Sequence, residues 1–207
     1  MTHPREPRVF IVSGPSGSGK STLVKKLLEL PGTILSISCT TRPPRATEKN
    51  GEWYNFISEE EFERMIQRGE FLEYARVFGR HYYGTPRRWV EEARRQGLDL
   101  VLEIDVQGAA QVKQKLPEAV AIFILPPSRG ELEQRIRARG QDSEGEIARR
   151  LERAHQEMQH YREYDFIVIN DDQERAGRDV QAIALAMRCQ QPANEFRVRQ
   201  ILESFGG

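Results

Sequence analysis

The chain predicts an α/β fold: a parallel sheet core flanked by helices, with a small β-rich insertion and a helical lid, over 207 residues. Three observations carry that expectation. A glycine-rich loop, Gly14-Pro15-Ser16-Gly17-Ser18-Gly19-Lys20-Ser21, stands between a short apolar run and a helical pattern. Apolar runs bounded by turn signals recur, with helical patterns between or after several of them, which is the signature of parallel strands covered on both faces. Two stretches break the alternation, and each has its own composition.

In chain order, Val9–Val12 reads as the first buried strand, and Ser21–Leu30 as the helix after the glycine loop. Ile34–Ile37 reads as a second strand. The first break follows, from about 39 to 96: a polar, proline-rich loop, then Trp53-Tyr54-Asn55-Phe56, a helical segment Glu59–Arg68, Phe71-Leu72-Glu73-Tyr74 and a Gly79–Gly84 turn. It reads as the β-rich insertion. Asp99–Ile104, Ala119–Leu125 and Phe166–Ile169 read as further strands, and Ala109–Leu116, Arg129–Arg139 and Arg175–Arg188 as helices. The second break, about 137–162, is charged, with a thin helical stripe of Ile147, Leu151, Ala154 and Met158. Periodicity alone suits a polar helical lid hinged near Gly140 and a solvated helix equally. The tail, 191–207, carries a weak pattern (Phe196, Val198, Ile201, Leu202) that fits a short helix or a disordered end. The core is thus expected at about 8–38, 97–136 and 163–190, in one domain.

The glycine loop fits the pattern G-x-x-x-x-G-K-[ST] of a phosphate-binding P-loop, in the strand–loop–helix setting that the pattern requires. Glycines let successive backbone N–H groups turn inward around an anion, and the helix N-terminus adds partial positive charge. Lys20 would reach the β- and γ-phosphates of a nucleoside triphosphate, and the Ser21 hydroxyl a Mg²⁺ ion. Pro15, Ser16, Ser18 and Thr22 complete the ATP-binding stretch.

Bulk properties exclude several classes. Lys+Arg and Asp+Glu balance at 31 each, so no global basic field for nucleic acid exists. The two cysteines, Cys39 and Cys189, form neither a disulfide framework nor a zinc pattern. Met1 to Pro7 is polar, unlike a signal peptide, and the apolar run Ala119–Leu125 is far too short to span a membrane. A cytoplasmic protein with small-molecule partners is expected, without nucleic acid or membrane; oligomeric state is open.

Beyond the P-loop, Ser38-Cys39-Thr40-Thr41-Arg42-Pro43-Pro44-Arg45 sets two arginines three apart beside stiffening prolines, a good fork for a dianion. With Asn50-Gly51 and Tyr54, Glu73 and Tyr83-Gly84-Thr85, Glu103-Ile104-Asp105-Val106-Gln107-Gly108, Arg135 and Arg139-Gly140, Arg150-Leu151 and Val168-Ile169-Asn170-Asp171-Asp172, the chain resembles guanylate kinases from about residue 9 to 188. That resemblance implies a P-loop nucleoside monophosphate kinase transferring the γ-phosphoryl of ATP to GMP, and to dGMP, with Mg²⁺ as cofactor. It implies that the insertion binds GMP: Ser38, Arg42, Arg45, Tyr54 and Tyr83 holding the phosphate, Glu73 and Thr85 reading guanine with help from Asp105, and Glu48 and Glu103 nearby. Either Glu103 or Asp105 would stand nearer the metal's water shell. Arg135, Arg139 and Arg150 match the family's core and lid arginines and, with Lys20 and Arg42, form the implied catalytic set. Asn170 would lie near adenine, although Asn170-Asp171-Asp172 equally reads as a helix cap. The rival readings are a kinase for another nucleoside monophosphate or a sugar phosphate, and a catalytically silent interaction module.

Overall fold

The computed structural model describes residues 6–45, 48–77, 80–138 and 143–206. Five strands form the central sheet: β1 (Val9–Ser13), β2 (Thr33–Leu35), β7 (Asp99–Glu103), β8 (Val120–Leu125) and β9 (Phe166–Ile169), all parallel, in the order β2-β7-β1-β8-β9. β1 lies between β7 and β8, pairing Val12 with Glu103 on one side and with Ile122 on the other. Alternate residues feed two cores. Phe10, Val12, Val101, Ile122 and Ile124 pack with helices α1 (Lys20–Leu28) and α7 (Gln173–Arg188). Ile11, Leu100, Leu102 and Ala121 pack on the opposite face with α3 (Arg88–Gln96) and α4 (Val106–Lys115). Burial on both faces is why these strands read as unbroken apolar runs.

The insertion is a second sheet of four strands, β3 (Ser38–Thr40), β4 (Tyr54–Phe56), β5 (Phe71–Val77) and β6 (His81–Pro86), ordered β4-β3-β6-β5. Helix α2 (Glu59–Gln67) buries Phe62 against it, with stacked rings at Phe71 and Tyr82, and is capped by Ser58 accepting from Glu61 N–H.

Several boundaries differ from the sequence expectation. The second strand ends at Leu35: Ser36 N–H still donates to Val101 O, after which the chain leaves for the second sheet. The insertion was expected to run to 96, but α3 buries Val90 and Ala93 in the main core, so the β-rich unit closes near Pro86. α4 starts at Val106 because Asp105 caps it, accepting from Gly108 N–H at 2.9 Å. α7 starts at Gln173 because Asp172 caps it. In the expected lid, α5 (Arg129–Arg137) and α6 (Glu144–Met158) share a small apolar cluster of Leu132, Ile136, Ile147, Leu151 and Ala154. Arg139 and Gly140 lie outside the described residues. The tail is a helix, α8 (Gln191–Ser204), with Phe196, Ile201 and Leu202 exposed.

Candidate active site

The site opens where β1, β7, β8 and β9 end, the edge at which open parallel sheets place ligands. The P-loop depends on two glycines whose side chains are excluded on two counts. Gly14 has φ +140°, and a Cβ there would sit 2.2 Å from Ile124 O. Gly19 has φ +95°, and a Cβ would sit 2.1 Å from Asn170 Nδ2. Gly19 also starts α1 with no side-chain cap, leaving the helix N-terminus for an anion. Lys20 Nζ donates to Gly14 O at 2.7 Å and Pro15 O at 3.0 Å, so the ammonium is folded along the loop. Ser21 Oγ donates to Glu103 Oε1 at 2.6 Å. Of the two acids the sequence left open, Glu103 therefore meets the Ser21 hydroxyl, whereas one Asp105 oxygen is the α4 cap and its Oδ2 is buried with no hydrogen-bond partner.

Across the cavity, the β5–β6 register pairs Glu73 with Thr85. Glu73 is 4 % exposed, and its Oε1 accepts from Thr85 N–H at 2.9 Å and Thr85 Oγ1–H at 2.6 Å. Burial pushes its pKa up to about 7, against the lowering pull of the Thr85 hydroxyl and with added repulsion from Asp105. A Cβ on Gly108 would sit 2.6 Å from Glu73 Oε2. The Thr85 hydroxyl thus steadies the Glu73 carboxylate. Ser38 Oγ lies 3.3 Å from Thr85 Oγ1, and Ser38 pairs with Tyr54 across β3 and β4, so it adjoins both the carboxylate and the tyrosine that packs on Arg42.

That fork is built around Arg42. Its Nη1 and Nη2 donate to Glu48 Oε2 and Oε1 at 2.6 and 2.7 Å, and its Nε donates to Tyr83 OH at 3.1 Å. The guanidinium also lies 5.1 Å from the Tyr54 ring centre and 5.3 Å from that of Phe56. The hydrogen bonds from Arg42 hold the Glu48 carboxyl down to about 2. Glu48 thus acts on Arg42, and on Arg45 by accepting its backbone N–H at 2.8 Å, as an orienting group. Arg45 itself is exposed at the rim. Burial raises the Tyr54 hydroxyl pKa, so the phenol stays a neutral donor.

From the lid side, Arg150 Nη2 donates to Ser16 Oγ at 2.8 Å, joining α6 to the P-loop. Arg135 reaches Glu131 at 3.0 Å and Asn170 O at 2.9 Å. Asn170 is 5 % exposed, and its Nδ2 donates to Ser18 O at 2.8 Å. It is therefore a strut beneath the P-loop. The sequence reading missed Arg153 and Glu157. Both line the cavity, joined by Arg153 Nε donating to Glu157 Oε1 at 2.8 Å. Their spacing from Arg150, three and seven residues on one helix, was the available signal.

One cavity of about 310 Å³ runs from Gly14 and Lys20 at one end to Ser38 and Glu73 at the other, with Tyr83 and Arg150 on its walls; Arg42 reaches it through Tyr83, whereas Arg45, Arg135 and Asn170 lie outside its lining. A triphosphate cradle that faces a second pocket with its own anion fork and buried carboxylate defines a P-loop phosphotransferase of the nucleoside monophosphate kinase class. Comparison carries the assignment further. A family model, Guanylate kinase, matches residues 6–186. Guanylate kinase of Aliivibrio fischeri is 49 % identical over 199 residues, 95 % of this chain and 96 % of the relative. That of Caldanaerobacter subterraneus subsp. tengcongensis is 48 % identical over 204 residues, 98 % of each chain. The crystal structure of guanylate kinase from Anaplasma phagocytophilum superposes with a TM-score of 0.80 at 33 % identity, covering 97 % of this chain and 95 % of that one. This chain belongs to the guanylate kinase family.

Proposed function

We propose that the chain transfers the γ-phosphoryl of ATP to GMP, releasing ADP and GDP, with the P-loop holding the donor and the four-stranded sheet the acceptor. One observation carries the acceptor assignment: the buried Glu73 carboxylate, fixed through Oε1, with Oε2 accepting no bond among the described residues. The Watson–Crick edge of guanine offers N1–H and N2–H side by side, which one carboxylate accepts together. Adenine offers an acceptor at N1 and would leave the carboxylate unpaired. A buried acceptor without its donor costs about 1–3 kcal/mol or more, enough for roughly a hundredfold selectivity.

No general base is required. The phosphate of GMP has a second pKa of about 6 and is a dianion near neutral pH. The barrier lies in bringing two polyanions together and stabilising charge as the phosphoryl passes, so positioning and preorganised cations dominate. Arg42, held by Glu48 and Tyr83, receives the acceptor phosphate, with Arg45 at the rim and Tyr54 beside it. Lys20 and Arg150 approach the donor phosphates, and Arg135 steadies the loop after β9. Arg139 belongs to the same expected set.

The hard oxygens of Ser21 and Glu103 suit Mg²⁺, which binds few protein oxygens and completes its shell with phosphates and water. Among the described residues no group of three His, Cys, Asp or Glu could hold a metal, so the ion would be carried by the nucleotide with Ser21 and Glu103 beside it. When bound, Mg²⁺ would offset negative charge on the donor phosphates. Among the described residues no helix is long and apolar enough to cross a membrane. Two free thiols suit a reducing compartment, and we assign the enzyme to the cytoplasm.

A coupled ADP-release assay across GMP, dGMP, AMP, UMP and CMP tests the assignment. Turnover should be greatest with GMP; preference for a non-guanine acceptor overturns it.

A further inference from the structure

Helix α6 sets three charged side chains along one face: Arg150, Arg153 and Glu157, all lining the cavity. Arg150 stands at the donor end, bonded to Ser16 of the P-loop. Glu157 lies two turns, about 10 Å, further along the same helix. Arg153 lies between them, one turn or about 4.5 Å along the helix from Arg150. The acceptor oxygen and the transferring phosphorus must come within about 3–3.5 Å of each other, so the line of transfer also lies between the donor cradle and the acceptor pocket.

We propose that Arg153 is a further phosphate-contacting residue of the transfer step, and that Glu157 is its positioning residue. The proposal rests on the reading of the chain as an ATP:GMP phosphotransferase. Glu157 engages Arg153 at Nε, 2.8 Å away, and the two side chains are only 28 % and 13 % exposed, so the guanidinium is oriented before any ligand arrives. That arrangement parallels Arg42, which Glu48 and Tyr83 orient in the acceptor loop. It also answers an electrostatic question. A bare carboxylate at the Glu157 position would repel two nucleotides; paired with Arg153 it is neutralised, and the pair's cationic end is what the phosphates meet. Arg153 thus adds charge stabilisation where the phosphoryl is in flight, beyond what Lys20 and Arg150 give the donor.

The test uses the full chain with ATP, GMP and Mg²⁺, comparing Arg153→Met, Arg153→Lys, Glu157→Gln and the control Arg149→Ala. Arg149 is an exposed residue of α6 whose Nε bonds Gly145 O. Arg153→Met should lower kcat about 100-fold, the scale of losing one preorganised donor, with both KM values moving less than about threefold. Arg153→Lys should recover part of kcat, and added guanidinium ion should recover part of the Arg153→Met loss. Glu157→Gln should lower kcat about tenfold by loosening the side chain, again with KM little changed. Arg149→Ala should match the parent. Unfolding temperatures of all variants separate chemistry from folding, and Arg153→Lys keeps the test available if the methionine variant is unstable. If Arg153→Met turns over within about threefold of a parent active on GMP, or its loss tracks unfolding without guanidinium rescue, this inference fails while the acceptor assignment stands. A parent inactive with ATP and GMP overturns both.

Discussion

Thr85 holds Glu73 twice, through its backbone N–H at 2.9 Å and its hydroxyl at 2.6 Å, and both bonds fall on the same oxygen, Oε1. The consequence is a carboxylate fixed in rotation, with Oε2 as the atom left to read a base. Replacing Glu73 by Gln keeps the shape and lets the amide oxygen accept from Thr85. It then turns an NH2 group toward the ligand, where guanine also presents donors. Glu73→Gln should lower kcat/KM for GMP about 100-fold and raise it for AMP, whose N1 accepts. Parallel steady-state assays with the two nucleotides decide; unchanged selectivity refutes the base-reading role.

Acidity gives a second handle on the same residue. Burial raises the Glu73 pKa from 4.5 to about 7, with Asp105 adding repulsion and Thr85 opposing. In the free protein, the native state therefore keeps a proton that the unfolded chain loses between about pH 4.5 and about 7. This group's contribution to stability falls as pH rises through that window and is fully unfavourable above it. Ligand binding runs the other way, because guanine's donors need the ionised form. Below about pH 7, KM for GMP should rise by up to about tenfold per unit. The phosphate of GMP also titrates near 6. Glu73→Gln retains that limb and loses the carboxylate limb, so the ratio of the two profiles isolates Glu73. Superimposable profiles would contradict the assignment.

Glu48 offers a test of orientation without direct ligand contact. It holds Arg42 through both terminal nitrogens and accepts the Arg45 N–H. Glu48→Gln cannot accept at both positions, so the fork loosens while its charge remains. KM for GMP should rise about tenfold, with kcat and KM for ATP nearly unchanged. A fall in kcat at constant KM would place Glu48 in the transfer step instead.

These contrasts show what a sequence transmits. The P-loop was legible because its chemistry is local: Gly14, Gly19, Lys20 and Ser21 work at fixed spacing. The five core strands were legible because burial on both faces makes each an apolar run. Helix α3 was hidden, since Val90 and Ala93 are few among arginines and glutamates and follow directly on β6. The partners of Ser38 and Asn170 were hidden for a different reason. The contacts Ser38–Thr85 and Asn170–Ser18 span 47 and 152 residues, and no local pattern reports which end of a cavity a side chain will reach. Arg153 and Glu157 resembled a solvated helix face until the fold turned that face inward.

The Ser21–Glu103 contact predicts a metal dependence. A 2.6 Å bond fixes a hydroxyl and a carboxylate at the P-loop edge, 82 residues apart in sequence. Ser21→Ala and Glu103→Gln should each raise the Mg²⁺ concentration needed for half-maximal rate, by roughly tenfold, at saturating ATP and GMP. Asp105→Asn should instead act on α4 and on the Glu73 end, because Asp105 caps that helix and repels Glu73. Magnesium titrations of the three variants separate the two acids; a larger shift for Asp105→Asn than for Glu103→Gln would reverse the assignment.

Asn170 and Gly19 supply the last prediction, because each explains the other. Asn170 Nδ2 bonds Ser18 O at 2.8 Å, and that amide occupies the space a Cβ on Gly19 would need. Asn170→Ala removes the strut and leaves the buried Ser18 carbonyl without its donor, which costs about 1–3 kcal/mol and should raise KM for ATP more than KM for GMP. Gly19→Ala alone suffers both the clash and the positive φ. The double variant Gly19→Ala/Asn170→Ala relieves the clash while the backbone strain remains. Thermal unfolding should therefore show the pair less destabilised than the sum of the singles. Strict additivity would mean that the two side chains do not compete for that space.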